Sequence, residues 1–127
     1  MAEEKQLQAA VEKLGIGSYT RHVFLCTGPR CCNEETGQQA WEVLKRELKE
    51  RFPLAGPNGC YRTRVACLRI CCQGPTMVVY PEGTWYQGMT AERIPRLVQE
   101  HLVEGHPVKE WIFARNPLPS EGSPQEQ

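Results

Sequence analysis

The stretch HVFLCTGPRCCNEETGQQAWEVLKRELKER, residues 22–51, runs from a strand through a cysteine-bearing loop into a helix. Its first five residues, His22–Cys26, form a nearly continuous apolar run with β-branched and aromatic members, which is typical of a buried strand. A Gly-Pro pair then marks a loop that carries Cys31 and Cys32. Residues 35–51 are rich in Gln, Glu, Lys, Leu and Ala with apolar residues along one face, so we predict a helix.

Three more strands and a closing helix follow along the chain. In residues 61–65, the uncharged Tyr61, Thr63 and Val65 alternate with two arginines, as in a half-exposed strand. Residues 76–80 and 84–89 are joined by a short Pro-Glu-Gly loop and predict an antiparallel hairpin. Residues 90–105 begin with a capping Thr, repeat apolar residues at helical spacing and end near a Gly. The order is therefore β-α-β-β-β-α.

This order predicts the fold class. A strand–helix–strand passage of this length forms a right-handed crossover between parallel strands. We therefore expect an α/β fold, a thioredoxin-like sandwich with a mixed four-stranded sheet. Residues 1–20 contain an amphipathic opening helix and are interpreted as an N-terminal helical extension. Residues 21–115 form the domain, and residues 116–127, with three prolines and almost no apolar residue, are expected to be a disordered tail.

Composition excludes several classes of function. The 127 residues suffice for one domain, and 15 basic and 15 acidic side chains cancel, which argues against nucleic-acid binding. No apolar run approaches the ~18 residues that span a bilayer. The N-terminal residues are acidic and polar, unlike a signal peptide. The seven cysteines are an odd number in tight groups, so we expect thiols in a reducing, cytoplasmic setting.

Four of the thiols are expected to meet. Cys26 ends the first strand and Cys67 ends the second, and the carboxyl ends of parallel neighbours lie at the same edge of a sheet. Cys31 and Cys71 lie in the loops that leave these two strands. The sequence therefore predicts that two loops bring four thiols to one end of the sheet.

The spacing between the thiols bears on which metal they would bind. Four residues separate Cys26 from Cys31, and three separate Cys67 from Cys71. Structural zinc usually takes ligands from tighter knuckles, whereas an iron–sulfur centre distributes its cysteines around a larger object. The spacing favours iron–sulfur and leaves zinc as an alternative.

The residues around the cysteines resemble a known family. VFLCTGPRC at residues 23–31 and CLRICCQGPTMVVYPEGTWY at residues 67–86 closely resemble the thioredoxin-like [2Fe-2S] ferredoxins. The same cysteine layout occurs in the small iron–sulfur subunit of respiratory NADH dehydrogenases. The resemblance covers roughly residues 22–102 and implies one [2Fe-2S] cluster per chain, one-electron transfer and often a homodimer. Carried over by position, the cluster ligands are Cys26, Cys31, Cys67 and Cys71.

This chain departs from the simplest family pattern by doubling a cysteine after each inner ligand. The extra residues are Cys32 and Cys72, and they leave open which thiol of each adjacent pair is the ligand. The spacings favour Cys31 and Cys71. Cys60 lies outside both motifs and is expected to be a small buried apolar residue.

We therefore predict a small ferredoxin that carries single electrons between redox proteins and is not itself an enzyme. A thiol–disulfide oxidoreductase on the same fold is one alternative, weakened because no Cys-x-x-Cys opens the first domain helix. A zinc-stabilised interaction module is the other. Residues 21–32 and 60–75 carry arginines and no acid, with Arg30 and Arg69 nearest the ligands. This pattern predicts a redox partner with an acidic docking face.

Overall fold

The computed structural model describes residues 2–52 and 59–119. Within them the elements are α1 (Ala2–Leu14), β1 (Tyr19–Cys26), α2 (Glu34–Arg51), β2 (Gly59–Val65), β3 (Thr76–Tyr80), β4 (Thr84–Tyr86), α3 (Ile94–Leu97) and β5 (Ile112–Arg115). A π-helical segment, Val98–Val103, continues α3, and a 3₁₀ turn, Lys109–Trp111, precedes β5. Most of the loop predicted between α2 and β2 lies outside the described residues.

The strands form one mixed sheet in the order β2-β1-β3-β4-β5. β1 and β2 are parallel, with Cys26 opposite Val65, which confirms the predicted parallel pairing of these two strands. β3 runs antiparallel on the other side of β1 and places Thr76 opposite Cys26. The carboxyl ends of β1 and β2 and the start of β3 therefore lie at the same end of the sheet.

The prediction of four strands was wrong, because β5 adds a fifth. β5 pairs antiparallel with β4, with Ala114 opposite Trp85. The sequence indicated only that residues 111–113 dock on the body, since four residues are too few to show strand alternation. The otherwise unpaired edge of β4 supplies the backbone partners that make this segment a strand. β4 itself ends at Tyr86, because Gly88 turns the chain with φ +60.

The core lies between the sheet and the helices α2 and α3. In β1, Val23 and Leu25 are fully buried and point toward this layer. α2 contributes Leu44 and Leu48 to the same cluster. Asn33 begins this helix, because its side-chain oxygen accepts a hydrogen bond from the Thr36 N–H at 2.7 Å. The loop between β1 and α2 is thus held between two anchored elements.

The two ends of the described chain differ in how closely they contact the rest of the protein. α1 buries none of its side chains and is followed by Gly15, whose φ of +73 suits the position after a helix C-terminus. After β5, the N–H of Asn116 donates to Gly83 O and the N–H of Leu118 donates to Pro81 O. Residues 120–127, the rest of the predicted tail, lie outside the described residues. Among the described helices, none is long and apolar enough to cross a membrane.

Candidate metal centre

Four cysteines line one cavity at the end of the sheet. Cys26 is the last residue of β1, and Cys31 lies in the loop before α2. The prediction that Cys67 ends the second strand was wrong, because β2 ends at Val65; Cys67 lies with Cys71 in the loop that follows. The cavity has a volume of about 320 Å³. Its remaining lining residues are Pro29, Arg30, Ala66 and Ile70. The parallel pairing of β1 with β2 therefore brings together the four thiols that the spacing singled out.

The cavity has a sheltered side and an open side. Cys26 and Cys31 are only 2% and 6% exposed. Cys67 and Cys71 belong to a loop without regular structure and are exposed. A group held by all four thiols would therefore be shielded by the sheet on one side and would meet solvent on the other.

The two cysteine loops are fastened to the body by backbone hydrogen bonds. The N–H of Thr27 donates to Val65 O at 3.1 Å, and the N–H of Gly74 donates to Cys31 O at 3.0 Å. Both contacts require close approach of the chain. A Cβ on Gly28 would lie 1.9 Å from Ala66 O, and one on Gly74 would lie 2.1 Å from Cys31 Sγ. Only glycine fits at these two positions without displacing its neighbours.

Polar groups surround the sulfurs unevenly. The N–H of Arg69, a residue with φ +70, donates to Cys67 Sγ at 3.2 Å. The Cys31 thiol lies 3.6 Å from both Cys26 O and Thr76 Oγ1. Burial raises the pKa of Cys31, and hydrogen bonds from the side chain and backbone of Thr76 oppose this rise. Sequence reasoning missed Thr76, although a polar residue at the start of the apolar run 76–80 was a signal.

The other three cysteines lie outside the cavity lining. Cys32 is half-buried beside the first turn of α2, where its Sγ would lie 3.2 Å from a Cβ on Gly37. Burial raises its pKa. Cys72 is exposed and lines a separate cavity of about 140 Å³. Cys60 is buried in β2, where burial raises its pKa to about 12. All seven cysteines are described, and all are free thiols.

The donor set is compatible with a metal cluster. Within residues 2–52 and 59–119, no three Cys, His, Asp or Glu side chains are grouped closely enough to hold a single metal ion. The four thiols instead stand around the walls of the cavity. Thiolate sulfur is the soft ligand that iron–sulfur clusters use, and four cysteines are the set that a [2Fe-2S] cluster takes. The residues therefore fit such a group by number, by chemistry and by the room between them.

Fold and site together define a class: a small α/β protein with a mixed sheet and a four-thiol centre at the carboxyl ends of its parallel strands. No family model matches the chain. A "Ferredoxin, 2Fe-2S" from Clostridium pasteurianum is 32% identical over 92 residues, which are 69% of this chain and 90% of that protein. A "Ferredoxin, 2Fe-2S" from Aquifex aeolicus is 26% identical over 106 residues, 78% of this chain and 94% of that one.

A solved structure agrees with these relatives. The structure of a thioredoxin-like [2Fe-2S] ferredoxin from Aquifex aeolicus superposes with a TM-score of 0.65, at 24% identity, over 84% of this chain and 96% of that one. This similarity confirms the predicted thioredoxin-like fold. The chain belongs to the 2Fe-2S ferredoxin family.

Proposed function

We propose that this chain is an electron-carrying ferredoxin that holds one [2Fe-2S] cluster through Cys26, Cys31, Cys67 and Cys71. The observation that carries the proposal is that these four thiols, out of seven, line a single cavity. The cluster supplies a site that takes up and releases one electron. The protein accepts that electron from one redox protein and gives it to another, and no bond is made or broken. It is a carrier and not an enzyme.

The arrangement of the thiols suits this role. Burial of Cys26 and Cys31 keeps solvent from one side of the site, and exposure of Cys67 and Cys71 leaves the other side within reach of a partner. Burial, hydrogen bonds to sulfur and solvent exposure are the means by which a protein sets the potential of such a centre. Seven free thiols are also consistent with the reducing cytoplasm, which we propose as its location.

The test is a cysteine series. Each of Cys26, Cys31, Cys67 and Cys71 is replaced by Ala, and the proteins are reconstituted anaerobically with iron and sulfide. We expect iron near two per chain in the wild type, visible absorbance that bleaches with dithionite, and loss of both in each of these four variants. The matched controls are Cys32→Ala, Cys60→Ala and Cys72→Ala, which should keep the cluster.

Three results would contradict the proposal in different ways. A colourless protein with one zinc would support the zinc-stabilised module. A colourless, metal-free protein that reduces insulin would support the oxidoreductase. A cluster that survives Cys31→Ala and disappears in Cys32→Ala would overturn the choice between the two neighbours.

The partner that we propose carries an acidic docking face. Arg30 lines the cavity, and Arg69 lies in the loop between the two exposed ligands. Both side chains are exposed, and the ion pairs between described residues include neither. Arg64 adds charge nearby through hydrogen bonds to the neutral side chains of Thr27 and Gln38, at 2.7 and 2.9 Å. A positive rim steers a negatively charged partner.

Small redox probes test this rim without knowledge of the partner. The reduced protein is oxidised either by anionic iron–EDTA or by cationic hexaamminecobalt(III) at several salt concentrations. In Arg30→Glu/Arg69→Glu we expect oxidation by the anionic probe to become slower and oxidation by the cationic probe to become faster, most strongly at low salt. The control, Lys5→Glu/Lys13→Glu in α1, makes the same change in net charge away from the site. Equal effects in both double variants would refute a local basic rim.

We also propose that the chain forms a homodimer through the sheet face that lies opposite α2. Half-buried aromatic residues pair along this face: His22 stacks on Phe24 at 4.1 Å between ring centroids, and Tyr61 approaches His22 at 5.0 Å. Aromatic groups of this kind are enriched in protein interfaces. Sedimentation analysis should give twice the mass of one chain for the wild type and one chain for Phe24→Glu. A monomeric wild type would refute the proposal.

A further inference from the structure

The hydroxyl group of Thr76 stands beside one of the four thiols. Thr76 Oγ1 lies 3.6 Å from Cys31 Sγ, within hydrogen-bond range for sulfur, and both residues are buried. Among the described residues, this is the hydrogen bond found for the Thr76 hydroxyl. A fully buried hydroxyl is destabilising without a partner, because it loses its hydrogen bonds with water, and most buried hydroxyls therefore have one. The Thr76 hydroxyl therefore has the Cys31 sulfur as its hydrogen-bond partner.

The pairing of β1 with β3 creates this contact. Thr76 is directly opposite Cys26 in the antiparallel register, and opposite residues project on the same face of a sheet. The loop between β1 and α2 brings Cys31 close to Thr76, since the hydrogen bond from Gly74 N–H to Cys31 O holds this loop against the chain just before β3. The first strand thus supplies one thiol, and the neighbouring strand supplies a polar group for a second.

The direction of the hydrogen bond depends on the state of the sulfur. A protonated Cys31 can donate its S–H either to Thr76 Oγ1 or to Cys26 O, both at 3.6 Å. A deprotonated Cys31 can only accept. The carbonyl of Cys26 has no hydrogen to offer, whereas the Thr76 hydroxyl can rotate and donate. Thr76 is therefore suited to the thiolate form that binds a metal.

We propose that Thr76 is a positioning residue that donates a hydrogen bond from its hydroxyl to the sulfur of Cys31 and thereby raises the reduction potential of the metal centre. The inference rests on the proposed function, in which Cys31 is a cluster ligand. Reduction adds negative charge to the site, and a donor to sulfur stabilises the more negative state. Thr76 is fully buried beside Cys31, one of the two buried thiols of the cavity, so solvent screens its hydroxyl little.

The experiment compares three substitutions in the reconstituted protein. Thr76→Val keeps nearly the same shape and removes the donor, and Thr76→Ser keeps the donor. Thr84→Val is the matched control, because Thr84 is also fully buried and its hydroxyl has no hydrogen-bond partner among the described residues. Iron content, the visible spectrum and the unfolding of the apo-protein are measured first, to show that each variant folds and carries its cluster.

Of the three variants, we expect only Thr76→Val to have a lower reduction potential than the wild type. A hydrogen bond of ordinary net strength shifts an equilibrium by about fivefold. For a one-electron couple, this is a decrease of about 40 mV. Thr76→Ser should stay near the wild type, and Thr84→Val should be unchanged. In resonance Raman spectra, the iron–sulfur stretches of the wild type should shift in D₂O, and Thr76→Val should lose part of that shift.

The outcomes separate this inference from the proposed function. If the wild type binds no cluster, the proposed function fails, and the role of Thr76 fails with it. If every variant carries a cluster and Thr76→Val has the wild-type potential and D₂O shift, only the role of Thr76 is refuted. A decrease of equal size in Thr84→Val would also refute it, because the effect would then be a general consequence of changing a buried Thr.

Discussion

Substitution of Gly74 by Ala tests the geometry of the cavity most directly. The new Cβ would lie 2.1 Å from Cys31 Sγ and 2.4 Å from Cys31 O. Non-bonded carbon needs about 3.5–4.0 Å, so the sulfur would have to move by about 1.5 Å or more. Overpacking of this kind costs about 1–3 kcal/mol. The larger effect is on the site, because metal–ligand distances are defined to about 0.2 Å.

We therefore expect Gly74→Ala to fold but to lose most of its cluster. The measurements are iron per chain after anaerobic reconstitution, the visible spectrum, and the free energy of unfolding of the apo-protein. Gly105→Ala is the control: a Cβ there meets nothing within 4 Å, but the φ of +82 makes it destabilising by about 1–2 kcal/mol. It should keep its iron despite the lower stability. A Gly74→Ala protein with full iron content and an unchanged spectrum would show that Cys31 need not occupy this position.

Two further predictions concern the stability of the apo-protein. Leu44 is fully buried between α2 and the sheet, so Leu44→Ala should lower the free energy of unfolding by about 2–5 kcal/mol in a urea titration. Burial lowers the pKa of His101 below the ordinary value for histidine, about 6.5, so the unfolded chain binds a proton more readily than the folded chain. Stability should therefore fall as the pH drops below about 6.5, and urea titrations of His101→Gln should show a shallower pH dependence between pH 7.5 and 5.5. Identical pH profiles for both proteins would exclude His101 as the cause.

The positions of Cys26 and Cys67 could be predicted because each depends on local pattern. An apolar run ends at Cys26, an alternating run ends just before Cys67, and the helical crossover between the two strands indicates that they are parallel. These rules need no knowledge of side-chain packing. They were sufficient to predict that two strand ends, and the loops that follow them, lie at one edge of the sheet.

β5 and Thr76 could not be predicted in the same way. β5 becomes a strand because β4 offers it an edge, with Arg115 opposite Thr84. Thr76 meets Cys31 only because β3 pairs with β1 in one register. A shift of one residue would turn the Thr76 side chain to the other face of the sheet. The register of β3 on β1 depends on packing throughout the core, so it cannot be read from the residues near Thr76 alone.

By itself, the sequence determined the order of the elements and the places along the chain where thiols follow strands, because hydrophobic periodicity and turn residues act over a few positions. The tertiary structure alone decided how Cys26 and Cys31 are buried while Cys67 and Cys71 stay exposed, and which donors reach their sulfurs. Burial and hydrogen bonding of this kind arise from segments about 50 residues apart, as Cys26 and Thr76 are, that meet only when the sheet closes.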